Sequence, residues 1–84
     1  KERIALIVTP ASLVYNWKSE LERFAPQLTG KIVVGTALQR QEILESADEK
    51  DILITSYDLL RRDVEHYKKY HFISKITAHR RQRQ

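Results

Sequence analysis

The sequence has no cysteine among its 84 residues and no apolar run long enough to cross a membrane. The first absence excludes disulfide frameworks and thiolate metal sites, and the second excludes membrane helices, which need about 20 apolar residues. The apolar run at residues 4–8 is also too short for the core of a secretory signal. We therefore expect a soluble, intracellular protein without a membrane partner, and a chain that begins inside a fold.

Glycine is scarce, and neither of the two glycines belongs to a phosphate-binding loop. Such a loop requires Gly, four residues and then Gly-Lys-Ser/Thr between a strand and a helix. Gly30-Lys31 is followed by Ile32, and Ala25 occupies the position of the first glycine. Glu65 is the last acidic residue, so no later strand can supply a carboxylate for magnesium. We predict that this chain binds no cofactor by itself.

Metal sites and catalytic nucleophiles also lack their usual sequence patterns. His66 and His71 lie five positions apart, which is not the i, i+4 spacing that places two imidazoles on one helical face for zinc. Ser12 and Ser56 lack a nearby histidine and a Gly-x-Ser-x-Gly motif. We predict no catalytic residue and no metal ligand in this chain, while the activity of a protein that contains it stays open.

The basic charge of the chain is concentrated at its carboxyl terminus. Arg80, Arg81 and Arg83 supply three units of the formal net charge of +4. The rest of the sequence is nearly neutral, so overall basicity is weak evidence for a nucleic-acid partner. A local pattern is needed to identify such a site.

Short apolar runs alternate with helical patterns along the chain. Runs at residues 4–8, 32–34 and 51–55 predict strands that are buried on both faces. Residues 72–77 could start a fourth strand. Three apolar stripes at helical spacing predict amphipathic helices. They consist of Leu13, Val14, Trp17, Leu21 and Phe24, of Leu38, Ile43, Leu44 and Ala47, and of Tyr57, Leu60, Val64 and Tyr67. This order predicts an α/β fold: a three-layer open parallel sheet with three or four strands and three helices.

Two predicted strands end in turns that carry hydroxyl groups. Pro10-Ala11-Ser12 follows the first strand and Thr55-Ser56-Tyr57 ends the third, so both turns should emerge at the carboxyl edge of one parallel sheet. Amides and hydroxyls at such an edge can hold successive phosphates without reading bases. Ser12 could instead simply cap its helix. Arg61 and Arg62 could add phosphate contacts or form a solvated face paired with neighbouring carboxylates.

Two segments resemble motifs of the SWI/SNF-type ATPases. Residues 7–17, Ile-Val-Thr-Pro-Ala-Ser-Leu-Val-Tyr-Asn-Trp, resemble motif Ia, and residues 52–63, Ile-Leu-Ile-Thr-Ser-Tyr-Asp-Leu-Leu-Arg-Arg-Asp, resemble the motif Ib region. The motifs occur in the family's order, and the resemblance covers about residues 4–72. The resemblance implies that the chain is a fragment of a RecA-like lobe, which has the P-loop NTPase fold. This would be the first lobe of a helicase-like translocase that moves along duplex DNA by hydrolysing ATP.

The resemblance also implies which residues contact DNA. The first contact would be made or supported by Pro10, Ala11, Ser12, Asn16 and Trp17, and the second by Thr55, Ser56 and Tyr57. A tryptophan on the apolar stripe is equally a core residue. The complete protein would use ATP and magnesium, bind double-stranded DNA through the phosphate backbone, and supply the missing half-lobe and a second lobe. It would be nuclear in a eukaryote and cytoplasmic, at the nucleoid, in a bacterium.

The sequence departs from the family at both ends. The family's phosphate loop would precede Lys1, and its Asp-Glu-Ala-Gln/His box should follow Phe72, where residues 76–81 read Ile-Thr-Ala-His-Arg-Arg. We therefore divide the chain into a partial lobe at 1–72 and a disordered basic tail outside the family at 73–84, as a truncation or frame shift would produce. An alternative function is a stand-alone α/β module that associates with itself or a partner through exposed sheet edges.

Overall fold

The computed structural model describes residues 3–69 and 71–77, which form four strands and four helices. In chain order these are β1 (Arg3–Thr9), α1 (Val14–Phe24), β2 (Thr29–Ile32), α2 (Ala37–Ser46), β3 (Asp51–Ser56), α3 (Tyr57–Arg62), α4 (Val64–Tyr67) and β4 (His71–Thr77). A 3-10 turn at Ala11–Leu13 precedes α1.

The four strands form one parallel sheet in the order β2-β3-β1-β4. Each connection between consecutive strands contains at least one helix, as parallel pairing requires. The predicted open parallel α/β sheet is confirmed. The arrangement is consistent with part of a RecA-like lobe.

Both faces of the central strands are apolar because helices pack on both sides of the sheet. Along β1, Ile4, Leu6 and Val8 join one buried cluster, and Ile7 joins the other. This alternation follows from the two-residue period of a strand. A three-layer fold therefore needs the continuous apolar run that the sequence shows.

The helix α1 covers one face of the sheet. Val14 is buried there, and Trp17 and Leu21 pack against a cluster that includes Ile54. The interpretation of Trp17 as a core residue is confirmed. Phe24 does not continue the stripe, since it is the last residue of α1, is 76% exposed, and lies 5.8 Å from the guanidinium of Arg23.

The helices α2, α3 and α4 cover the opposite face. Leu44 of α2 and Ala47, directly after the helix, are buried with Ile43 beside them, but Leu38 is 64% exposed. The residue of α2 that takes the inward position one turn before Leu44 is Arg40. The predicted stripe is therefore correct in its second half and wrong in its first.

The predicted third helix is interrupted at Asp63. This residue has φ −106° and ψ 18°, outside the α-helical region, and it separates α3 from α4. Val64, predicted to lie on the apolar stripe, is 41% exposed, whereas Leu60 and Tyr67 pack in the core. A single helix was the wrong prediction because the side chain that turns inward between Leu60 and Tyr67 is an aspartate.

The edge strands begin and end elsewhere than the apolar runs indicate. β2 starts at Thr29 and not at Ile32. The amide of Thr29 donates to the backbone carbonyl of Lys50, and the side chain of Lys31 forms an ion pair with Asp51 at 3.1 Å. β4 pairs with β1 as far as residue 77, which confirms the fourth strand that the sequence allows at residues 72–77. Residues 73–77, which our domain division assigned to the tail, thus belong to the sheet. The remainder of that tail, residues 78–84, lies outside the described residues.

Candidate nucleic-acid interface

The two hydroxyl-bearing turns lie side by side at the carboxyl edge of the sheet. β1 and β3 are neighbours, and the last residue of each, Thr9 and Ser56, form the final pair of their register. Adjacent strands lie about 4.8 Å apart, so the chain leaves both strands at one place. The structure therefore brings together the two turns that the sequence singles out.

The first turn is exposed to solvent. Pro10 has extended geometry and its carbonyl accepts from the amide of Leu13 at 2.9 Å, which closes the 3-10 turn. Ala11 and Ser12 are exposed. Ser12 does not cap α1, because the capping position is Leu13 and no side chain accepts from the first turn of the helix. Of the two interpretations of Ser12, the capping one is wrong, and its hydroxyl faces solvent.

Asn16 and Trp17 follow in the first turn of α1. Asn16 is exposed, close in sequence to Ser12 and on the solvent side of the helix. Trp17 is half-buried against the sheet. Asn16 is thus available to a ligand, while Trp17 anchors the helix that carries it.

The second turn is built from buried polar groups. Ser56 is the N-cap of α3, and its Oγ accepts a hydrogen bond from the amide of Leu59 at 3.2 Å. Thr55 is fully buried, with its hydroxyl 3.5 Å from the carbonyl of Val33, and Tyr57 is half-buried against the α2 side of the core. The side chains of these residues shape the turn, and a ligand at this edge would meet the backbone or the exposed face of α3.

Basic side chains on α3 face solvent beside this turn. Arg61 forms an exposed ion pair with Asp58 at 2.5 Å, an arrangement worth at most about 1 kcal/mol in stability. Arg62 is also exposed. The Asp58 carboxylate offsets part of the positive charge, so Arg62 is the better placed of the two to attract an anion.

A buried ion pair, which the sequence analysis missed, joins α2 to the junction of α3 and α4. Arg40 Nε donates to Asp63 Oδ2 at 2.6 Å and Nη2 donates to Oδ1 at 3.0 Å. This hydrogen bond to Asp63 raises the pKa of Arg40 above its ordinary value, although burial opposes the shift. The signal in the sequence was an arginine at the start of the apolar stripe that continues through Leu44 and Ala47.

Tyr67 lies beside this pair and points its ring into the core. The side chain is almost fully buried, and burial raises its pKa from 10.0 to about 12, with a hydrogen bond to Thr55 opposing the shift. The charges of Asp63 and Arg40 act on it in opposite directions. Tyr67 is therefore subject to the charges of the buried pair and to Thr55, which lies in the strand that leads into the second turn.

The part of the chain that the structure describes contains neither a cluster of metal ligands nor a membrane-spanning helix. There, no three histidine, aspartate or glutamate side chains lie close enough together to hold a metal ion. Within residues 3–69 and 71–77, no helix has the length and apolarity to span a bilayer.

Comparison with known proteins identifies the family. The model of the SNF2-related domain matches residues 1–80. The chain belongs to this SNF2-related family. The match includes both turns, confirms the SWI/SNF-type resemblance, and extends past residue 72, where we placed the family boundary.

Curated relatives of this SNF2-related chain are large proteins. A Mycoplasma pneumoniae protein named as an uncharacterized ATP-dependent helicase is 44% identical over 81% of the chain and 6% of its own length. The TATA-binding protein-associated factor mot1 of Schizosaccharomyces pombe is 38% identical over 73% of the chain and 3% of its own length. Helicase SWR1 of Yarrowia lipolytica is 33% identical over 88% of the chain and 4% of its own length. The chain thus spans only a small part of each relative.

Proposed function

We propose that this chain is the DNA-contacting part of the first motor lobe of an SNF2-type, ATP-dependent DNA translocase. It belongs to the SNF2-related family, and relatives carry the names ATP-dependent helicase and Helicase SWR1. The single observation that supports the DNA contact is the pairing of Thr9 with Ser56, which sets two turns side by side at one sheet edge. Adjacent turns suit successive phosphates of one strand.

The two turns contribute differently in this proposal. Ala11, Ser12 and Asn16 are exposed and contact phosphate directly, with Pro10 giving the turn its shape. Trp17 holds α1 against the sheet. In the second turn Thr55, Ser56 and Tyr57 set the direction of α3, whose exposed Arg62 adds a cation. Binding of this kind follows the backbone of duplex DNA and carries no base sequence information.

Catalysis belongs to the complete protein in this proposal. The 84 residues contain no Gly-x4-Gly-Lys-Ser/Thr loop, and no acidic residue follows Glu65. Phosphoryl transfer requires a phosphate cradle, magnesium ligands and groups that stabilise the transition state. ATP and magnesium would therefore bind in the rest of the lobe and against a second lobe, and the isolated chain would not hydrolyse ATP. The complete protein would act in the nucleus or at a bacterial nucleoid.

The test is fluorescence anisotropy with a labelled DNA duplex. To remove the terminal charge, all chains carry Arg80→Gln, Arg81→Gln and Arg83→Gln. In that background, the test variant combines Ser12→Ala and Asn16→Ala in one chain. Its DNA affinity is compared with that of a control variant, Ser19→Ala. Ser19 is an exposed serine further along α1, so its substitution is a matched control. Ser56→Ala is unsuitable because it removes a helix cap and destabilises the turn.

We expect the double variant to bind DNA at least about fivefold more weakly, because it loses one or two hydrogen bonds to charged phosphate. The Ser19→Ala control should bind with unchanged affinity. Equal affinities for the double variant and the control would contradict the first turn as a DNA contact. Absence of binding in the parent background would contradict DNA binding by the isolated chain.

A second function has one observation in its favour. β2 and β4 are the outer strands of the sheet, each paired on one side to a central strand. Outer strands can pair with another chain. Analytical ultracentrifugation distinguishes this function, because it predicts association that rises with protein concentration and does not depend on DNA.

A further inference from the structure

The ion pair between Arg40 and Asp63 is buried and joined by two parallel hydrogen bonds. The two side chains are only 9% and 10% exposed. A third donor, Arg40 Nη1, bonds the carbonyl of Gly35 at 2.7 Å. One guanidinium therefore ties together three places: the β2–α2 turn, α2 itself, and the α3–α4 junction.

Asp63 decides where two helices end and begin. Its amide donates to the carbonyls of Leu59 and Leu60 at 3.0 and 3.2 Å, which ends α3. Its carbonyl accepts from His66 at 2.9 Å and Tyr67 at 3.2 Å, which begins α4. Any movement of Asp63 is therefore transmitted to both helices.

The helices attached to Asp63 are too short to hold their own direction. α3 has six residues and α4 has four, far below the roughly 12 to 15 residues that an isolated helix needs. α3 is fixed at its amino end by the Ser56 cap and at its carboxyl end by the bond from Asp63 to Arg40. Removing the second anchor leaves α3 held by its Ser56 cap and by the packing of Tyr57 and Leu60 on the core.

Stability alone is a weak reason for burying such a pair. Desolvation of two charges offsets most of their attraction, and apolar residues of similar size often stabilise a protein equally well. What an apolar pair lacks is direction, because the planar guanidinium meets a carboxylate in one fixed geometry. The distinctive property of this pair is therefore the position it imposes.

We propose that Arg40 is a positioning residue that fixes α3 at the carboxyl edge of the sheet. The bond from Arg40 to Asp63 sets the angle at which α3 leaves the second turn and hence where Arg62 lies relative to the first turn. The pair itself touches no ligand. Its effect on DNA rests on the proposed function, whereas its effect on the position of α3 does not.

The test uses the full 84-residue chain and the double variant Arg40→Met with Asp63→Leu. Replacing both partners avoids leaving one charge buried without the other. We expect the urea midpoint to stay near that of the unsubstituted chain. Backbone amides in 57–67 should exchange with deuterium about tenfold faster, while those in 14–24 keep their rates, because only the local anchor is lost. Arg40→Lys should show the same local effect, since it keeps the charge and loses the two-bond geometry.

Unchanged exchange in 57–67 in a folded double variant would overturn the proposal. If the double variant does not fold, hydrogen exchange in the unsubstituted chain tests the proposal instead. The proposal then requires the amides of Asp63, His66 and Tyr67 to exchange as slowly as the amide of Arg40. Exchange at the rate of an exposed turn would refute an anchored junction. DNA affinity is measured in parallel and should fall several-fold in the double variant. If no chain binds DNA, the proposed function fails, while the exchange rates still decide the role of Arg40.

Discussion

At the scale of single residues, identical side chains at equivalent points of the fold have different tasks. Ser56 is the last residue of β3, Ser12 lies in the 3-10 turn that follows β1, and each precedes a helix. Ser56 is 4% exposed and accepts from the amide of Leu59, so its hydroxyl is used within the fold. Ser12 is exposed in a 3-10 turn and caps nothing. The surroundings decide which serine is available to a phosphate.

Tyr67 gives a prediction of how stability depends on pH. Its pKa of about 12 in the folded chain exceeds the ordinary 10.0, so the folded state holds the phenol proton more tightly than the unfolded chain does. The contribution to stability is complete below pH 10 and is lost as the pH rises toward 12, by an amount on the order of 2 kcal/mol. Urea unfolding between pH 9 and about 12 measures this loss.

Tyr67→Phe is the control for that titration. It removes the ionising group and keeps the ring, so the free energy of unfolding of the variant should fall less steeply over the same pH range. All other ionisable groups are the same in both chains, so their effect cancels in the difference. Parallel pH profiles for the two chains would show that Tyr67 is not protected from ionisation in the fold.

At the scale of elements, periodicity in the sequence predicts the sheet well and the α2–α4 side less well. Each central strand contains enough consecutive apolar residues to be recognised, and two strand ends indicate the position of the candidate interface. The apolar periodicity does not predict the break at Asp63, whose buried side chain bonds an arginine 23 positions earlier in the chain. The role of Ser12 also depends on geometry, since a 3-10 turn moves the helix cap to Leu13.

The β2–α2 turn supplies a prediction at this scale. Gly35 has a φ of +105°, which side chains disfavour, and an added Cβ would collide with the side chain of Gln39. Gln39 and Thr36 cap α2 by two reciprocal hydrogen bonds, at 2.9 and 3.1 Å. We expect Gly35→Ala to lower the free energy of unfolding by about 1 to 3 kcal/mol.

Gly30→Ala is the matched control for this substitution. A Cβ at Gly30 would lie 3.5 Å from Leu21 and 3.6 Å from Ile54, which is ordinary packing distance. The change should therefore leave the urea midpoint unchanged or raise it. An equal loss of unfolding free energy in the two variants would contradict this explanation. It would indicate that the left-handed backbone of the β2–α2 turn is not the reason why Gly35 is needed.

At the scale of the whole molecule, charge and candidate interface lie in different parts of the chain. Three arginines at 80, 81 and 83 carry most of the net charge, whereas the turns at Ser12 and Ser56 lie in the nearly neutral remainder. Phosphate contacts by cations release counterions, so they make affinity depend steeply on salt, whereas amide and hydroxyl contacts contribute little to that dependence. A salt series therefore separates the two contributions.

We expect the unsubstituted chain to lose DNA affinity steeply with salt. The logarithmic slope should become shallower by about 0.9 for each terminal arginine that contacts phosphate, once Arg80, Arg81 and Arg83 are changed to glutamine. The remaining slope should be that of very few ionic contacts, since Arg62 is the main exposed cation proposed at the interface. Anisotropy titrations from 25 to about 300 mM salt measure both slopes. If the glutamine variant binds no DNA even at the lowest salt, the arginines account for all binding, and the paired turns act on DNA only within the complete motor.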